Sequence, residues 1–274
     1  MNAVVEYDNT LNSLQFKGFT AMDYNILMAL CYKVKGRGHA KIIIPFDELK
    51  QLTDFREQSD SLFIKDLERM IDKLIKVSAT HITGDKKTFF VLFPTFEINH
   101  KSRKLTVSVN KDFTFILNKL SDQFTQFELK EFAELESKYA KTLYKNLKQF
   151  KRTGWWRPSV EELRIALDVP ENYSNKRIMG DILKPALKLL EDKFEDLKCE
   201  PIRAQKRGAP VERYYFTFRA EKQIPGQQTI ADYPGVLPGE DKQKGKEQPA
   251  KNSFNDFQQN DYDFDDLEKK LLDN

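Results

Sequence analysis

The amino-acid sequence predicts an α+β protein built from two tandem winged helix-turn-helix domains and followed by a disordered C-terminal tail. The first supporting observation is size: the chain has 274 residues, of which 40% are hydrophobic, enough for a core over most of its length. The second is an order of elements that occurs twice, namely helix, short strand ending in proline, two helices and a β-hairpin. The third is a change of composition after residue 220, where apolar residues become sparse.

These observations divide the chain into four parts. We expect an N-terminal winged helix at residues 1–132 and a C-terminal winged helix at 133–220. A flexible linker at 221–252, rich in Gln, Gly, Pro and Lys, leads to an acidic tail with spaced aromatic residues at 253–274.

The elements of the first part follow from periodicity and from residues that end a helix or strand. Thr20 is predicted as the N-cap of the first helix, with Asp23 three residues on, where a carboxylate complements the helix N-terminus. The apolar residues of the longest helix recur every three or four positions, as on a buried face. The predicted elements are helices at 20–34, 46–52 and 59–77, a short strand at 41–45, and β runs at 78–83, 88–99 and 104–110.

The same order returns in the second part. Ser159 and Glu162 form an S-x-x-E capping box at the start of its short helix. Pro185 lies inside the long third helix and should bend or interrupt it. The predicted elements are helices at 135–150, 159–167 and 176–194, a short strand at 154–158, and strands at 197–205 and 212–219.

Charge is distributed unevenly along the chain. Residues 138–220 contain 19 basic and 11 acidic residues, a net charge of +8, whereas residues 221–274 have a net charge of −5. A basic region beside an acidic tail indicates a polyanionic partner for the former and a protein partner for the latter. The alternative is an ordinary solvated surface.

The second helix-turn-helix provides the principal candidates for DNA binding. Residues near the N-terminus of a recognition helix meet base edges in the major groove, and the wing follows the adjacent backbone or groove. Asn175 suits adenine, while Lys176 and Arg177 suit guanine or phosphate. The candidates are Asn175, Lys176, Arg177, Lys184 and Lys188 on the helix and Arg203, Lys206, Arg207 and Arg213 on the wing. The alternative is an amphipathic helix with solvated lysines.

The first helix-turn-helix is less basic. Its candidates for phosphate or groove contact are Arg56, Gln58, Ser59, Ser61 and Lys65. Arg69 and Lys73 are equally well explained as partners of acidic residues on their own helix. The β run at 88–99 is an alternative interface, because it could pair with a second subunit.

Nothing in the sequence indicates an enzyme. The three histidines, His39, His81 and His100, are scattered, and neither a C-x-x-C pair nor a glycine-rich phosphate loop occurs. We therefore expect no catalytic residue, no metal and no cofactor. No apolar run approaches the length of a membrane span, and the N-terminus lacks a signal-peptide layout, so a cytoplasmic protein with reduced Cys31 and Cys199 is expected.

The C-terminal tail combines acidic residues with spaced apolar ones. Such a segment can fold onto the groove of a partner as a short helix, with Phe264, Leu267 and Leu271 as anchors. The alternative is a tail that only increases solubility.

Two sequence blocks resemble the plasmid replication initiator (Rep) proteins that bind iterons, which are short direct repeats at an origin. They are Y-A-x-x-L-Y-x-x-L-K-Q-F at 139–150 and L-K-P-A at 183–186, within a resemblance over about residues 1–220. The resemblance implies a monomer that binds iterons through both winged helices and opens the origin. It also implies a dimer, formed through the first domain, that represses its own gene.

The same resemblance implies partners and site residues. The partners are the host initiator and the replicative helicase or its loader. Asn175, Lys176, Arg177, Lys184 and Lys188 match the family's recognition helix, and Lys206, Arg207 and Arg213 match its wing. The tail resembles those of some replication proteins of Gram-positive phages and plasmids, including helicase-loading ones.

Two other functions remain open at this point. A winged-helix transcriptional repressor would bind DNA without a recruiting tail. An origin-nicking enzyme would need a metal site that the sequence does not indicate.

Overall fold

The computed structural model describes residues 3–38, 40–56, 59–83, 85–118, 124–205 and 208–221. Within them the predicted order of elements occurs twice, in one structural unit. The elements of the first half are β1 (Val4–Asp8), α1 (Thr10–Ser13), α2 (Ala21–Val34), β2 (Ile42–Pro45), α3 (Phe46–Leu52), α4 (Asp60–Leu74), β3 (Ser78–Thr83), β4 (Lys86–Val91), β5 (Thr95–Asn99), β6 (Lys104–Ser108), α5 (Lys111–Asn118), β7 (Phe124–Glu128) and α6 (Leu129–Ala133).

The start of α2 has the predicted cap. The Thr20 hydroxyl accepts a hydrogen bond from the Asp23 backbone N–H at 3.2 Å, and the Asp23 carboxylate accepts one from the Thr20 N–H at 2.8 Å. Both otherwise unpaired donors are thereby satisfied. The body of α2 is buried along nearly its whole length, so it forms the centre of the first half.

Two predicted elements of the first half have different limits in the structure. Helix α4 ends at Leu74, and Ile75, which was expected on the buried face, is 44% exposed because the chain turns there toward β3. The β run at 88–99 is two strands, separated at 92–94 where Pro94 cannot donate a ladder hydrogen bond. Strand β4 pairs with β3, and β5 pairs with β6 in the sheet β2-β6-β5.

A two-stranded sheet joins the ends of the first half, and the sequence did not predict it. Strand β1 pairs antiparallel with β7, with Val4 opposite Glu128. Val5 and Tyr7 on β1 and Phe127 on β7 are buried. This pairing holds the beginning and the end of the first half together.

The second half begins with a long helix and continues as predicted. Its elements are α7 (Lys138–Gln149), β8 (Trp155–Trp156), α8 (Val160–Leu167), α9 (Asn175–Arg177), a π-helical turn (Ile178–Leu183), α10 (Lys184–Lys188), β9 (Lys198–Arg203) and β10 (Val211–Thr217). The strands form the antiparallel sheet β8-β10-β9. The capping box predicted at the start of α8 is present, with Ser159 and Glu162 satisfying each other's backbone N–H groups.

The recognition helix is the continuous helical segment of residues 175–188, and it differs from the expected regular helix at 176–194. The Lys184 N–H bonds to the carbonyl of Met179, five residues back, which widens the turn. Pro185 follows at once; its ring would clash with a carbonyl four residues back in a regular α-helix. The helix therefore accommodates the proline by a wide turn, and it ends at Lys188.

Helix α7 lies between the two halves and packs against both. It contacts α2 and β7 of the first half and α8, β8 and α10 of the second. All its residues from Ala140 to Leu147 are buried, two lysines among them. The recognition helix and its wing therefore project from a second half that is anchored to the first through α7.

Candidate nucleic-acid interface

The recognition helix has a buried face and a cationic face. The Ser174 hydroxyl caps it by accepting a hydrogen bond from the Arg177 N–H at 3.3 Å. The apolar side chains predicted to face the core are buried at Ile178, Ile182, Leu183, Ala186 and Leu190 and partly buried at Leu187. The candidate DNA-contacting residues lie on the other side: Lys176, Arg177, Lys184 and Lys188 are exposed and Asn175 is half-buried.

Arg177 has two side-chain neighbours. Its guanidinium carbon lies over the ring of Tyr173, 3.9 Å from the ring centroid. Its Nε–H donates to the Asp181 carboxylate at 3.2 Å, one helical turn on. The side chain is half-exposed, at 50%.

A cleft of about 590 Å³ separates the recognition helix from the wing. Lys176 and Lys184 line it from the helix and Arg203 lines it from β9. None of the described residues that line it is acidic. Tyr214 on β10 also lines the cleft, and its hydroxyl donates a hydrogen bond to the Asn175 carbonyl at 3.4 Å, which connects the start of the helix to the sheet.

The wing residues take different positions. Arg203 points along the hairpin and donates to the carbonyl of Ala209 at 3.0 Å. Arg213 lies away from the cleft lining and donates to the carbonyl of Arg157 at 3.3 Å. Gly208, with φ of +82°, forms the turn, whereas Lys206 and Arg207 lie outside the described residues.

The structure therefore brings four predicted residues together: Asn175, Lys176, Lys184 and Arg203 all line the cleft. Three others, Arg177, Lys188 and Arg213, are exposed but are not part of that lining. Base or phosphate contact by each of these residues stays a prediction.

The candidates of the first half are already partly engaged. Arg56 pairs with Asp54 at 3.2 Å. Ser59 caps α4, and its hydroxyl lies 2.9 Å from that of Ser61. Lys65 is exposed, and Gln58 lies outside the described residues.

Sequence reasoning missed Arg103, which neutralises the start of α4. Its guanidinium donates to both oxygens of Asp60, at 2.5 and 3.0 Å, and to both oxygens of Asp47, at 2.7 and 3.1 Å. Hydrogen bonds from Arg103 and then Lys50 lower the pKa of Asp60 to about 2. Arg103 lies in the turn between β5 and β6, far from both acids in sequence. A local sequence pattern therefore does not predict this contact.

Arg69 and Lys73 follow different explanations. Arg69 pairs with Asp66 on its own helix at 2.9 Å, which was one of the two interpretations. Lys73 instead reaches Asp23, which is fully buried, at 2.6 Å. Lys73 therefore joins α4 to the start of α2.

Metal-binding clusters and membrane-spanning helices are both absent from the described part of the chain. No group of three or more His, Cys, Asp or Glu side chains there is placed to hold a metal ion. No helix among those residues has the length and hydropathy to cross a bilayer.

Comparison with known proteins places the two halves in one group. Residues 4–148 match the family model described as initiator replication protein, WH1, and residues 159–218 match initiator Rep protein, WH2. These matches confirm the predicted pair of winged-helix domains.

One curated relative is a probable replication protein rep of Bifidobacterium longum (strain NCC 2705). It is 31% identical over 227 residues, which cover 80% of this chain and 74% of the relative.

Among solved structures, the crystal structure of Pi initiator protein in complex with iteron DNA is similar at a TM-score of 0.57 and 14% identity. The match covers 81% of this chain and 99% of that one, and at this identity it bears on the fold alone. A structure of domains 2 and 3 of RctB matches at a TM-score of 0.44 and 13% identity, over 75% of this chain and 84% of that one.

Proposed function

The chain belongs to the family of initiator replication proteins, and on that premise we propose that it initiates plasmid replication by binding iterons, short direct repeats of double-stranded DNA at the origin. The recognition helix of residues 175–188 enters the major groove, and the wing follows the neighbouring backbone. A protein of the same fold, the Pi initiator, has been crystallised with iteron DNA.

The observation that carries this proposal is the cationic cleft between the recognition helix and the wing. Duplex DNA carries one negative charge per roughly 1.7 Å of its axis, so a groove that holds a strand must offer positive charge along its length. Lys176, Lys184 and Arg203 line the cleft, and no acidic side chain among its described lining residues opposes them. Asn175 also lines this cleft and supplies a side-chain amide suited to a base edge.

The first half serves a different purpose in this proposal. In the first half, Arg103 is paired with Asp47 of α3 and Asp60 of α4. This half therefore offers fewer free cations to DNA near the start of α4. It positions the protein on the repeat as a monomer and forms the dimer that represses the protein's own gene.

Recruitment is assigned to the C-terminal tail. Phe264, Leu267 and Leu271 bind a groove of the host initiator or of the replicative helicase or its loader. The protein acts in the cytoplasm without covalent chemistry, metal or cofactor.

A replication assay joined to a binding assay tests the proposal. A selectable plasmid without another origin carries only this gene and its flanking DNA, and footprinting locates the protein on that DNA. We expect protected direct repeats and stable replication. Lys184→Ala should weaken binding to all sequences alike and flatten the salt dependence of log K by about 0.9, the share of one phosphate contact.

The matched control is Lys130→Ala, which removes an exposed lysine of α6 and should change neither readout. Tight repeat binding without replication would favour the repressor. Nicked product from supercoiled origin DNA with Mg²⁺ would contradict the absence of covalent chemistry.

A further inference from the structure

Arg177 occupies the third position of the recognition helix, the region that meets base edges. Its two neighbours, Tyr173 before the helix and Asp181 one turn after it, have no role in the function proposed above. Resting on that function, we propose that Tyr173 and Asp181 are positioning residues that hold Arg177 ready to read a guanine of the repeat.

The contacts restrict the guanidinium in two directions. The guanidinium carbon lies over the Tyr173 ring, 3.9 Å from its centroid, and this cation–π contact opposes movement of the guanidinium away from the ring. The Asp181 carboxylate accepts from Nε at 3.2 Å, which opposes rotation about the plane normal. The usual rotamer freedom of an exposed arginine is thus reduced before DNA arrives.

The tyrosine is itself fixed to the domain. Its N–H donates to the Pro170 carbonyl at 3.0 Å, and its carbonyl accepts a hydrogen bond from Arg164 of α8. The backbone of Tyr173 is therefore held in the turn between the two helices of the helix-turn-helix by contacts that do not involve Arg177.

This arrangement leaves the reading edge of Arg177 available. Of the five N–H donors of a guanidinium, Asp181 takes the one on Nε. The two terminal nitrogens make no hydrogen bond or ion pair among the described residues, and they form the fork that matches O6 and N7 of guanine. A bidentate phosphate contact would use the same fork, so guanine and phosphate are separated by the dependence of binding on DNA sequence.

A substitution at Asp181 distinguishes a positioning role from a purely structural one. It is 53% exposed on a face that approaches DNA, so its negative charge repels phosphates. Asp181→Asn removes this repulsion, and it also removes the ion pair that restricts the Arg177 side chain. Binding to DNA of any sequence should therefore tighten or stay constant while selectivity for guanine falls.

The experiment uses the full chain and a pool of randomised 30-base-pair duplexes. Bound DNA is selected and sequenced for the wild type, Arg177→Ala, Tyr173→Leu, Tyr173→Phe and Asp181→Asn. The affinity of each protein is then measured for the best wild-type site and for the same site with the read guanine replaced by adenine. Thermal melting of each variant checks that it is folded.

We expect a wild-type motif with one guanine whose preference disappears in Arg177→Ala. Tyr173→Leu and Asp181→Asn should lower the guanine-to-adenine affinity ratio about three-fold or more, as expected for loss of a partly exposed cation–π contact or an ion pair. Tyr173→Phe keeps the ring and should stay within about two-fold of the wild type.

Three results would overturn the proposal. The first is an unchanged ratio in folded Tyr173→Leu and Asp181→Asn. The second is an Arg177→Ala variant that binds all sequences more weakly to the same extent, since Arg177 would then contact phosphate only. The third is a wild-type protein that selects no sequence motif. Of the three results, only this one would also contradict the proposed recognition of repeats.

Discussion

Gly154 lies where the backbone leaves no space for a side chain. Its φ is +76°, and a Cβ there would approach the Phe218 carbonyl oxygen at 2.7 Å and the Ala220 nitrogen at 3.1 Å. Both contacts are backbone atoms, and the Phe218 N–H donates to the Gly154 carbonyl at 2.9 Å. Neither backbone segment can therefore move away without loss of hydrogen bonding. This residue fixes the end of β10 beside the end of α7.

We therefore expect Gly154→Ala to reduce the free energy of unfolding by roughly 2 to 4 kcal/mol, the sum of left-handed strain and a steric clash. Urea denaturation measures it. Gly36→Ala is the control: its φ is +72° with nothing within 4 Å of the added Cβ, so it should lose only about 1 kcal/mol. Equal losses in the two variants would contradict the clash.

Single residues also show where prediction from sequence fails. Lys184 and Arg103 are both cations at the surface, yet Lys184 lines an open cleft while Arg103 is engaged by two carboxylates. Their availability depends on contacts between residues more than 40 positions apart, which a single sequence does not reveal. The basic candidates near Asn175 were predictable because they follow a helix start in the chain.

At the scale of elements, α7 departs most from expectation. A stripe of apolar residues predicted a helix at 135–150, but Lys141 and Lys145 are also buried. Lys141 donates to the Phe132 and Ala133 carbonyls at the end of α6, at 2.5 and 3.2 Å. Lys145 lies within 3.5 Å of the Asn12 carbonyl and side-chain oxygens. Each ammonium thus joins α7 to the first half.

This burial makes the stability of the protein depend on pH. Because burial disfavours the charged form, the pKa of Lys145 falls to about 7, as does that of Lys141. The lysine pKa in an unfolded chain is about 10.4, so the unfolded state binds more protons between these values. The free energy of unfolding contributed by each lysine therefore rises with pH between about 7 and the unfolded pKa of about 10.4, and it is lowest and nearly constant below pH 7, where both states bind the proton.

The expected contribution of Lys145 is a rise of roughly 1 to 2 kcal/mol between pH 7 and 8.5. Urea denaturation of the wild type and of Lys145→Met gives the free energy of unfolding of each protein over this pH range. The difference between the two profiles measures the contribution of Lys145, because the contributions of the other titrating groups cancel in that difference. Lys130→Met, on the exposed side of α6, should run parallel to the wild type. A Lys145→Met profile parallel to the wild type would mean that Lys145 stays charged when buried.

Elements with a strong local signal were the predictable ones. Helices α2 and α8 begin at the expected caps, and α3 spans the expected seven residues. Strand β1 was missed because its partner β7 is about 120 positions away, and the wide turn before Pro185 was expected only as a bend or break. Pairing at long range and the response to a helical proline depend on packing, which local propensity does not contain.

At the scale of the whole molecule, a buried polar network joins the two halves. The Asn12 side chain donates to Thr125 at 2.9 Å and to Gln149 at 3.0 Å, and it accepts from Tyr7 at 3.0 Å. It thereby connects β1, β7 and α7. Buried polar groups of this kind require a specific geometry, so they favour one arrangement of the halves over others.

Removal of the C-terminal tail tests the division between DNA binding and recruitment. Deleting residues 253–274 should leave repeat affinity unchanged and abolish or strongly impair replication, because the anchors lie in the tail. The triple variant Phe264→Ala, Leu267→Ala and Leu271→Ala should reproduce this loss. Footprinting and plasmid transformation are the two measurements.

The matched control alters charge without touching the apolar anchors. Asp263→Asn with Asp265→Asn should retain most replication if the apolar side chains provide the binding energy. Normal replication by the deleted protein would exclude the tail as a recruiting element.

The pairing of β1 with β7 has a consequence for how the protein is made. Strand β1 leaves the ribosome before its partner around Glu128, which is translated only after some 120 further residues. At 5–20 residues per second this takes on the order of 10 s. During that time Val5 and Tyr7 lack the neighbours that bury them in the finished fold. A nascent chain therefore exposes these apolar side chains to chaperones and proteases until β7 has been made and the first half can fold.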